Sequence, residues 1–285
     1  MLSEKSYTRL FDLNFSKSRF HWHLSQFPAF CPSNLFSLSL QNTHNDMKFP
    51  QRIFLTLLLL STVVSRSQTA DEIINRYIQS IGGADNWKSV STITTAGNYN
   101  YGGVAFPYVA WSKAPNLYLY IVTFNGKSFS QAYNGKVGWR IDGFKNEKAK
   151  TILKDKQATA LANEADVELE SPFINYRQKG YSVELLGSDS VNSKPCHKIR
   201  LLTNGDTAVY FFDKTDFNLV KKQAVSKNGE MDRAPMDIFY SDYQATGNIK
   251  LPHKINCTTG GQRILLITVD SVKLNDPIAD SQFQP

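Results

Sequence analysis

The sequence predicts an α+β domain in which one strongly curved antiparallel sheet carries an N-terminal helix and a mid-chain helical insertion on its concave face. Three observations carry that expectation. Between residues 90 and 142, and again after residue 181, β-rich runs are separated by Asn-Gly and Gly-Gly pairs, which favour the positive φ of tight hairpins. Residues 70–81 and 154–167 instead space their apolar side chains at the helical period. Many long antiparallel strands joined by hairpins curl rather than stay flat.

The elements follow in order. In 70–81, Ile73, Ile74, Tyr77, Ile78 and Ile81 form one stripe, Thr69 is the N-cap, Asp71 and Glu72 suit the first turn, and Gly82-Gly83 ends the helix. Residues 84–88 make a short helical turn that buries Trp87. Five strands follow up to Asp142, with turns at Gly102-Gly103, Pro115-Asn116, Asn125-Gly126 and Asn134-Gly135. Residues 154–167 are a helix whose buried side, Ala158, Leu161, Ala162 and Ala165, is small and therefore packs weakly. Residues 171–180, with Pro172 in the first turn and Gly180 at the end, read as a second short helix. Six or seven strands complete the chain, separated by Asn204-Gly205, Asn228-Gly229 and Gly260-Gly261.

Ahead of this domain lies a segment of another kind. Met47 to Arg52 is short and basic, residues 53–64 are an apolar run, and Ser65 and Ser67 suit the −3 and −1 positions of a cleavage site. That is the pattern of a secretory signal peptide over 47–67, with cleavage after Ser67. A membrane anchor is the alternative, and the apolar run falls short of the roughly 20 residues that span a bilayer. Residues 1–46 show no helical or strand period. They read as an upstream mistranslation preceding a true start at Met47, or as a disordered arm. The expected organisation is therefore a leader over 1–46, a signal peptide over 47–67 and a single domain over 68–285.

The first 67 residues hold seven of the 32 basic and three of the 25 acidic side chains, leaving 25 against 22, a charge of about +3 on the exported part. No basic stripe points to nucleic acid, and no cationic cluster points to a membrane surface. Cys196 shares its strand face with Lys198 and Arg200, and Cys257 shares its own with Leu251 and Ile255. Opposite faces are poor disulfide geometry. No cysteine stands at the mature start to take a lipid, so a soluble periplasmic product is expected.

Catalytic signatures of the GxSxG, HExxH, CxxC, P-loop and GxGxxG kinds are absent, so no catalytic residue, cofactor or metal is assigned. His197 and His253 read as sheet residues. Asp213, Asp216, Asp232, Asp237 and Asp242 are spread over turns and strands. What stands out is aromatic load. Residues 117–124 and 264–267 are apolar on both strand faces, whereas a one-layer sheet ordinarily alternates. Cover on both faces or a lined cavity satisfies such strands. The residues from which an apolar cavity lining is drawn are Trp111, Tyr118, Tyr120, Phe124, Trp139, Phe173 and Phe211, with both parities included because the concave face is not identified by pattern alone.

The order and wording of several segments resemble the LolA-like family of outer-membrane lipoprotein-sorting proteins, in the divergent form common in Bacteroidota. The segments are Ile81-Gly82-Gly83 followed by Trp87-Lys88-Ser89-Val90, Ser171-Pro172-Phe173, Tyr240-Ser241-Asp242-Tyr243, residues 247–255, and the end of the chain at 272–285. The resemblance spans the exported chain and rests on structural rather than catalytic motifs. It implies an incomplete β-barrel closed by helices around a cavity for acyl chains. It further implies a monomeric, non-enzymatic periplasmic carrier of acylated lipoproteins or lipid. Such a carrier takes cargo from an inner-membrane transporter to an outer-membrane acceptor. The family's basic residue that engages the helical lid has two positional candidates here, Arg140 and Arg177. Two other classes stand beside this expectation: a sensor or interaction module on the same fold, and a secreted hydrolase of unrecognised type.

Overall fold

The computed structural model describes residues 68–285 apart from 156, 160, 163, 164, 166–170, 204 and 227–232. The expected leader, the signal peptide and the Asn228-Gly229 turn lie outside the described residues.

Helix α1, Ala70–Ser80, begins at a capping box. The Thr69 hydroxyl accepts from the Glu72 amide at 3.2 Å, and the Glu72 carboxylate accepts from the Thr69 amide at 3.0 Å. Two of the four amides that a helix start leaves unbonded are thereby satisfied. The expected stripe is buried, with Ile73, Ile74, Tyr77, Ile78 and Ile81 all inside the core. Each such side chain contributes about 1.5–3 kcal/mol relative to exposure, which outweighs the modest propensity of isoleucine for helices. Helix α2, Ala84–Lys88, buries Trp87, whose indole N–H donates to the Ile81 carbonyl at 3.0 Å.

The strands are β1 (Thr92–Tyr101), β2 (Val104–Lys113), β3 (Leu117–Phe124), β4 (Lys127–Asn134), β5 (Gly138–Asp142), β6 (Thr151–Ile152), β7 (Ser182–Val191), β8 (Lys194–Thr203), β9 (Asp206–Asp213), β10 (Leu219–Val225), β11 (Pro235–Thr246), β12 (Ile249–Thr259) and β13 (Gln262–Leu274). The two-residue β6 is the one strand the pattern does not announce. All thirteen form one sheet in the order β6-β5-β4-β3-β2-β1-β13-β12-β11-β10-β9-β8-β7. Every pairing is antiparallel. Two meanders are joined side by side through β1 and β13, and the sheet stays open, with β6 and β7 as its edges. The helical insertion between β6 and β7 therefore connects one free edge to the other. The result is a curved half-barrel of the α+β class.

One expected element differs. Residues 171–180 form successive turns rather than a helix. Asn175 has φ +54°, a left-handed conformation that interrupts helical propagation. On either side of it the bonds run three residues back, from the Ile174 amide to Ser171 O and from the Gln178 amide to Asn175 O.

Two apolar clusters occupy the concave face. The first joins α1, α2 and the 171–181 turns to β7–β10 and to the ends of β1, β11, β12 and β13, centred on Phe173, which lies edge-on to Tyr210 at 4.8 Å and to Tyr77 at 5.8 Å. Burial pushes the Tyr77 hydroxyl up to about 12 and that of Tyr210 higher still. The second cluster joins Phe106, Tyr108, Tyr118 and Val122 of β2 and β3 to Leu161 and Ala165 of the insertion. On the outer face, the chain after β13 lies across Leu119, Ala132 and Trp139, with Ile278 and Phe283 buried against them.

Candidate functional site

Between the two concave clusters run β11–β13 and β1, whose ends at Ile249, Leu274 and Ile93 join the first cluster, and register shows what floors the rest of that gap. Residues directly opposite on neighbouring strands share a face. Tyr240 pairs with Ile255, Ile255 with Ile267, Ile267 with Tyr99, and Tyr99 with Phe106. The Phe106 ring meets Phe124 at 5.0 Å. A second row runs from Ile238 to Cys257 to Leu265. Tyr240 belongs to the margin of the first cluster, and Tyr99, Ile267 and Phe124 to the margin of the second, which places both rows on the concave side. Ile238, Tyr240, Ile255, Leu265, Ile267 and Tyr99 are half-buried, whereas the residues of the flanking clusters are buried outright. The arrangement is an apolar floor left partly open between two covered ends.

The residues expected to line a cavity separate by face. Tyr118, Tyr120 and Phe124 share the concave face at one end of this floor, where Tyr120 meets Tyr99 at 6.4 Å. Phe173 lies in the centre of the first cluster. Trp111 and Trp139 are on the outer face beneath the C-terminal segment, where the Trp139 indole donates to the Phe283 carbonyl at 2.7 Å. Phe211 is on the outer face beside Cys196 and Val191. The structure thus brings three of the seven to the floor and adds Tyr99, Ile238, Tyr240, Ile255, Leu265 and Ile267. Trp111 instead helps line an outer-face recess of about 370 Å³, bounded also by Thr94, Lys273 and Gln282.

Few polar groups interrupt the floor. His253 is buried; a carbonyl only accepts, so its Nδ1–H donates to Val269 O at 2.9 Å, and Nε2 has no partner among the described residues. A base of the triad type is oriented by a carboxylate, and here the partner is a backbone carbonyl. Cys257 lies in the concave row and Cys196 among the outer-face residues, so the two thiols are on opposite sides of the sheet, as strand parity requires. Burial pushes the Cys257 thiol up to about 11. Of the two basic candidates, Arg177 pairs with Asp71 of α1 at 2.5 Å, and Arg140 stands 3.9 Å from Glu147. Neither contact is with a described residue of the insertion helix. Among the described residues no group of three His, Cys, Asp or Glu side chains is placed to hold a metal ion, and no helix is long and apolar enough to cross a membrane.

Fold and floor together define an open antiparallel half-barrel with a partly open apolar concave face. Solved structures bear this out at the level of architecture. A DUF1329 family protein from Desulfovibrio piger superposes with a TM-score of 0.52 at 12% identity, covering 76% of this chain and 98% of that one. A LolA superfamily protein from Nitrosomonas europaea gives 0.50 at 13% identity, covering 77% and 99%. A domain from Vibrio parahaemolyticus assigned to outer membrane lipoprotein sorting gives 0.50 at 11% identity, covering 74% and 94%. At these identities the likeness is one of fold. No protein-family model matches the sequence, and no curated protein matches it in sequence.

Proposed function

We propose that this chain is an exported carrier that holds acyl chains of lipoproteins or lipids on the concave floor and delivers them toward the outer membrane. The observation that carries the reading is the continuous half-buried row from Tyr240 through Ile255 and Ile267 to Tyr99, apolar across four strands and bounded by covered clusters. Transfer of an acyl chain from water onto such a surface is worth about 0.8 kcal/mol per methylene, so partial burial of one chain supplies several kcal/mol. Under this reading residues 47–67 direct export, residues 1–46 are dispensable, and the helical insertion opens to admit cargo.

The test pairs native mass spectrometry of protein purified from its own envelope with binding of a fluorescent fatty-acyl probe. The expected result is a co-purifying acylated species and saturable probe binding that Ile255→Glu reduces at least tenfold while circular dichroism shows an intact fold. A wild-type protein that carries no lipid and binds no probe overturns the reading. Recovery of one regulatory protein without lipid would favour the sensor class instead.

A further inference from the structure

A second cluster of chemistry lies away from the floor, where α1 passes the turn between β9 and β10. Phe217 sits in that turn with φ +59°, a left-handed conformation that costs a bulky side chain roughly 1–3 kcal/mol and persists only where the surroundings impose it. The turn is closed on both sides of the residue, by the Phe217 amide to Asp213 O and the Asp213 amide to Asn218 O, each at 3.0 Å. The strained backbone presents the ring to a guanidinium and an imidazole. The Arg76 guanidinium lies 5.0 Å from the ring centroid, and the His197 imidazole stacks on the ring at 5.8 Å with an interplanar angle of 18°. Lys214, three residues before Phe217, donates to the Ser188 hydroxyl at 2.6 Å.

Three basic side chains from three elements, α1, β8 and the turn, therefore converge here. Among the described residues none of them is within ion-pair distance of a carboxylate. The carboxylates of the same turn are otherwise engaged. Asp213 accepts from the Thr215 amide at 2.7 Å and faces Lys194 at 3.6 Å, and Asp216 accepts from both the amide and the side chain of Asn218 at 2.9 Å. The imidazole registers the imbalance: burial first, then the charges of Lys214 and Arg76, hold His197 below its ordinary value. Beside Arg76 and Phe217 is an open recess of about 560 Å³ whose wall adds the side chains of Asn75, Gln79 and Ser80; the two amides are able to donate, whereas the Ser80 hydroxyl donates to the Tyr77 carbonyl.

We propose that Arg76 and His197, which meet the Phe217 ring, and Lys214, which bonds Ser188, the residue paired with His197 across β7 and β8, form a binding site for a phosphate-type anion, either free or as the headgroup of a lipid. The cations supply charge-assisted hydrogen bonds, Asn75 and Gln79 supply neutral donors, and the Phe217 ring fixes where the Arg76 guanidinium stands. The site is independent of the acyl-chain floor and stands or falls separately from it.

An anion between Arg76 and Lys214 offsets the charges that now disfavour the imidazolium, so binding raises the His197 pKa. The experiment follows the His197 imidazole by NMR in the full chain, its signal assigned by loss in His197→Gln. The additions are inorganic phosphate, vesicles of phosphatidylcholine with phosphatidylglycerol, vesicles of phosphatidylcholine alone, and sodium chloride at matched ionic strength. The expected result is a saturable upward shift with phosphate or with the anionic vesicles, absent with the two controls. In Arg76→Gln/Lys214→Gln the apparent affinity falls about tenfold. Both positions are exposed, and an unchanged thermal melt confirms that the variant folds. A response to soluble phosphate assigns the site to the free anion, and a response to anionic vesicles alone assigns it to a headgroup. No shift with either, an equal shift with sodium chloride, or an unaltered response in the double variant overturns the proposal.

Discussion

Asp71 shows how one side chain links local structure to the packing of the sheet's cover. It lies in the first turn of α1, where a negative charge suits the helix dipole. Its carboxylate accepts hydrogen bonds from the Tyr176 hydroxyl and from Arg177, tying α1 to the 171–181 turns that carry Phe173 into the first cluster. The Tyr176 hydrogen bond, followed by the hydrogen bond and charge of Arg177, holds the Asp71 carboxyl below its ordinary value against the opposing effect of burial. A depressed carboxylate contributes stability that is fully present above its unfolded value, about 3.9, and is lost as pH falls through the folded value. The pair is substantially exposed, so the contribution is at most about 1 kcal/mol. Asp71→Asn is therefore expected to lower the melting temperature slightly at pH 7. As pH falls through the folded value the wild-type carboxyl becomes neutral and resembles the amide, and the difference should vanish. A gap of equal size at pH 2 and pH 7 would show that charge is not what Asp71 supplies.

At the scale of elements, the insertion helix explains both what was readable and what was not. The small apolar residues of 154–167 announce a helix held by little area, and within it Leu161 is the one large buried side chain among the described residues. It is seated where β5 has no side chain: a Cβ on Gly138 would lie 3.1 Å from Leu161 Cδ2 and 3.4 Å from Leu153 Cδ1. Leu161→Ala should then loosen this helix in preference to the sheet. Hydrogen exchange over 155–165 is expected to quicken while exchange in β8–β10 stays unchanged, and release of a bound acyl probe should accelerate. Uniform quickening throughout the sheet would instead make Leu161 an ordinary core residue.

The strands divide in the same way. From β1 to β5 the hairpins run without a register slip, so counting outward from Gly102-Gly103 or Asn125-Gly126 puts Tyr118, Tyr120 and Phe124 with Phe106, and Trp111 and Trp139 on the reverse side. What counting does not reveal is which side the helices cover. The β12–β13 hairpin hides more. It starts at Thr259 opposite Gln262, but a bulge after Cys257 sets Cys257 against Leu265 rather than residue 264. One extra residue reverses every face beyond it. Ile255 and Ile267 become partners only through that bulge, which is why the floor was not legible from alternation. A second irregularity between Ala96 and Gly97 adjusts β1 to β13. There the backbones approach so closely that a Cβ on Gly97 would stand 1.9 Å from the Thr268 carbonyl oxygen.

For the whole molecule, the open floor has an energetic consequence. The sheet is continuous through β1 and β13, yet its concave side is covered in two separate parts, one by α1 and the 171–181 turns, the other by the insertion. Each cover packs on its own cluster, and the strip between them is half-buried apolar surface. A ligand lying along the row from Tyr240 to Tyr99 would touch the margins of both clusters at once. Anything that binds the native state alone stabilises it by RT ln(1 + [L]/Kd), about 2.7 kcal/mol at a hundredfold excess over Kd. If the floor is the binding surface, that stabilisation reaches both covers. Hydrogen exchange with and without a fatty-acyl ligand should therefore show added protection in α1 and in the insertion helix together, with the largest change in β12 and β13 between them. Ile255→Glu should abolish all three effects together. Protection confined to the outer face near Trp111, or to the insertion alone, would place the ligand elsewhere and separate the half-barrel fold from the carrier role proposed for its floor.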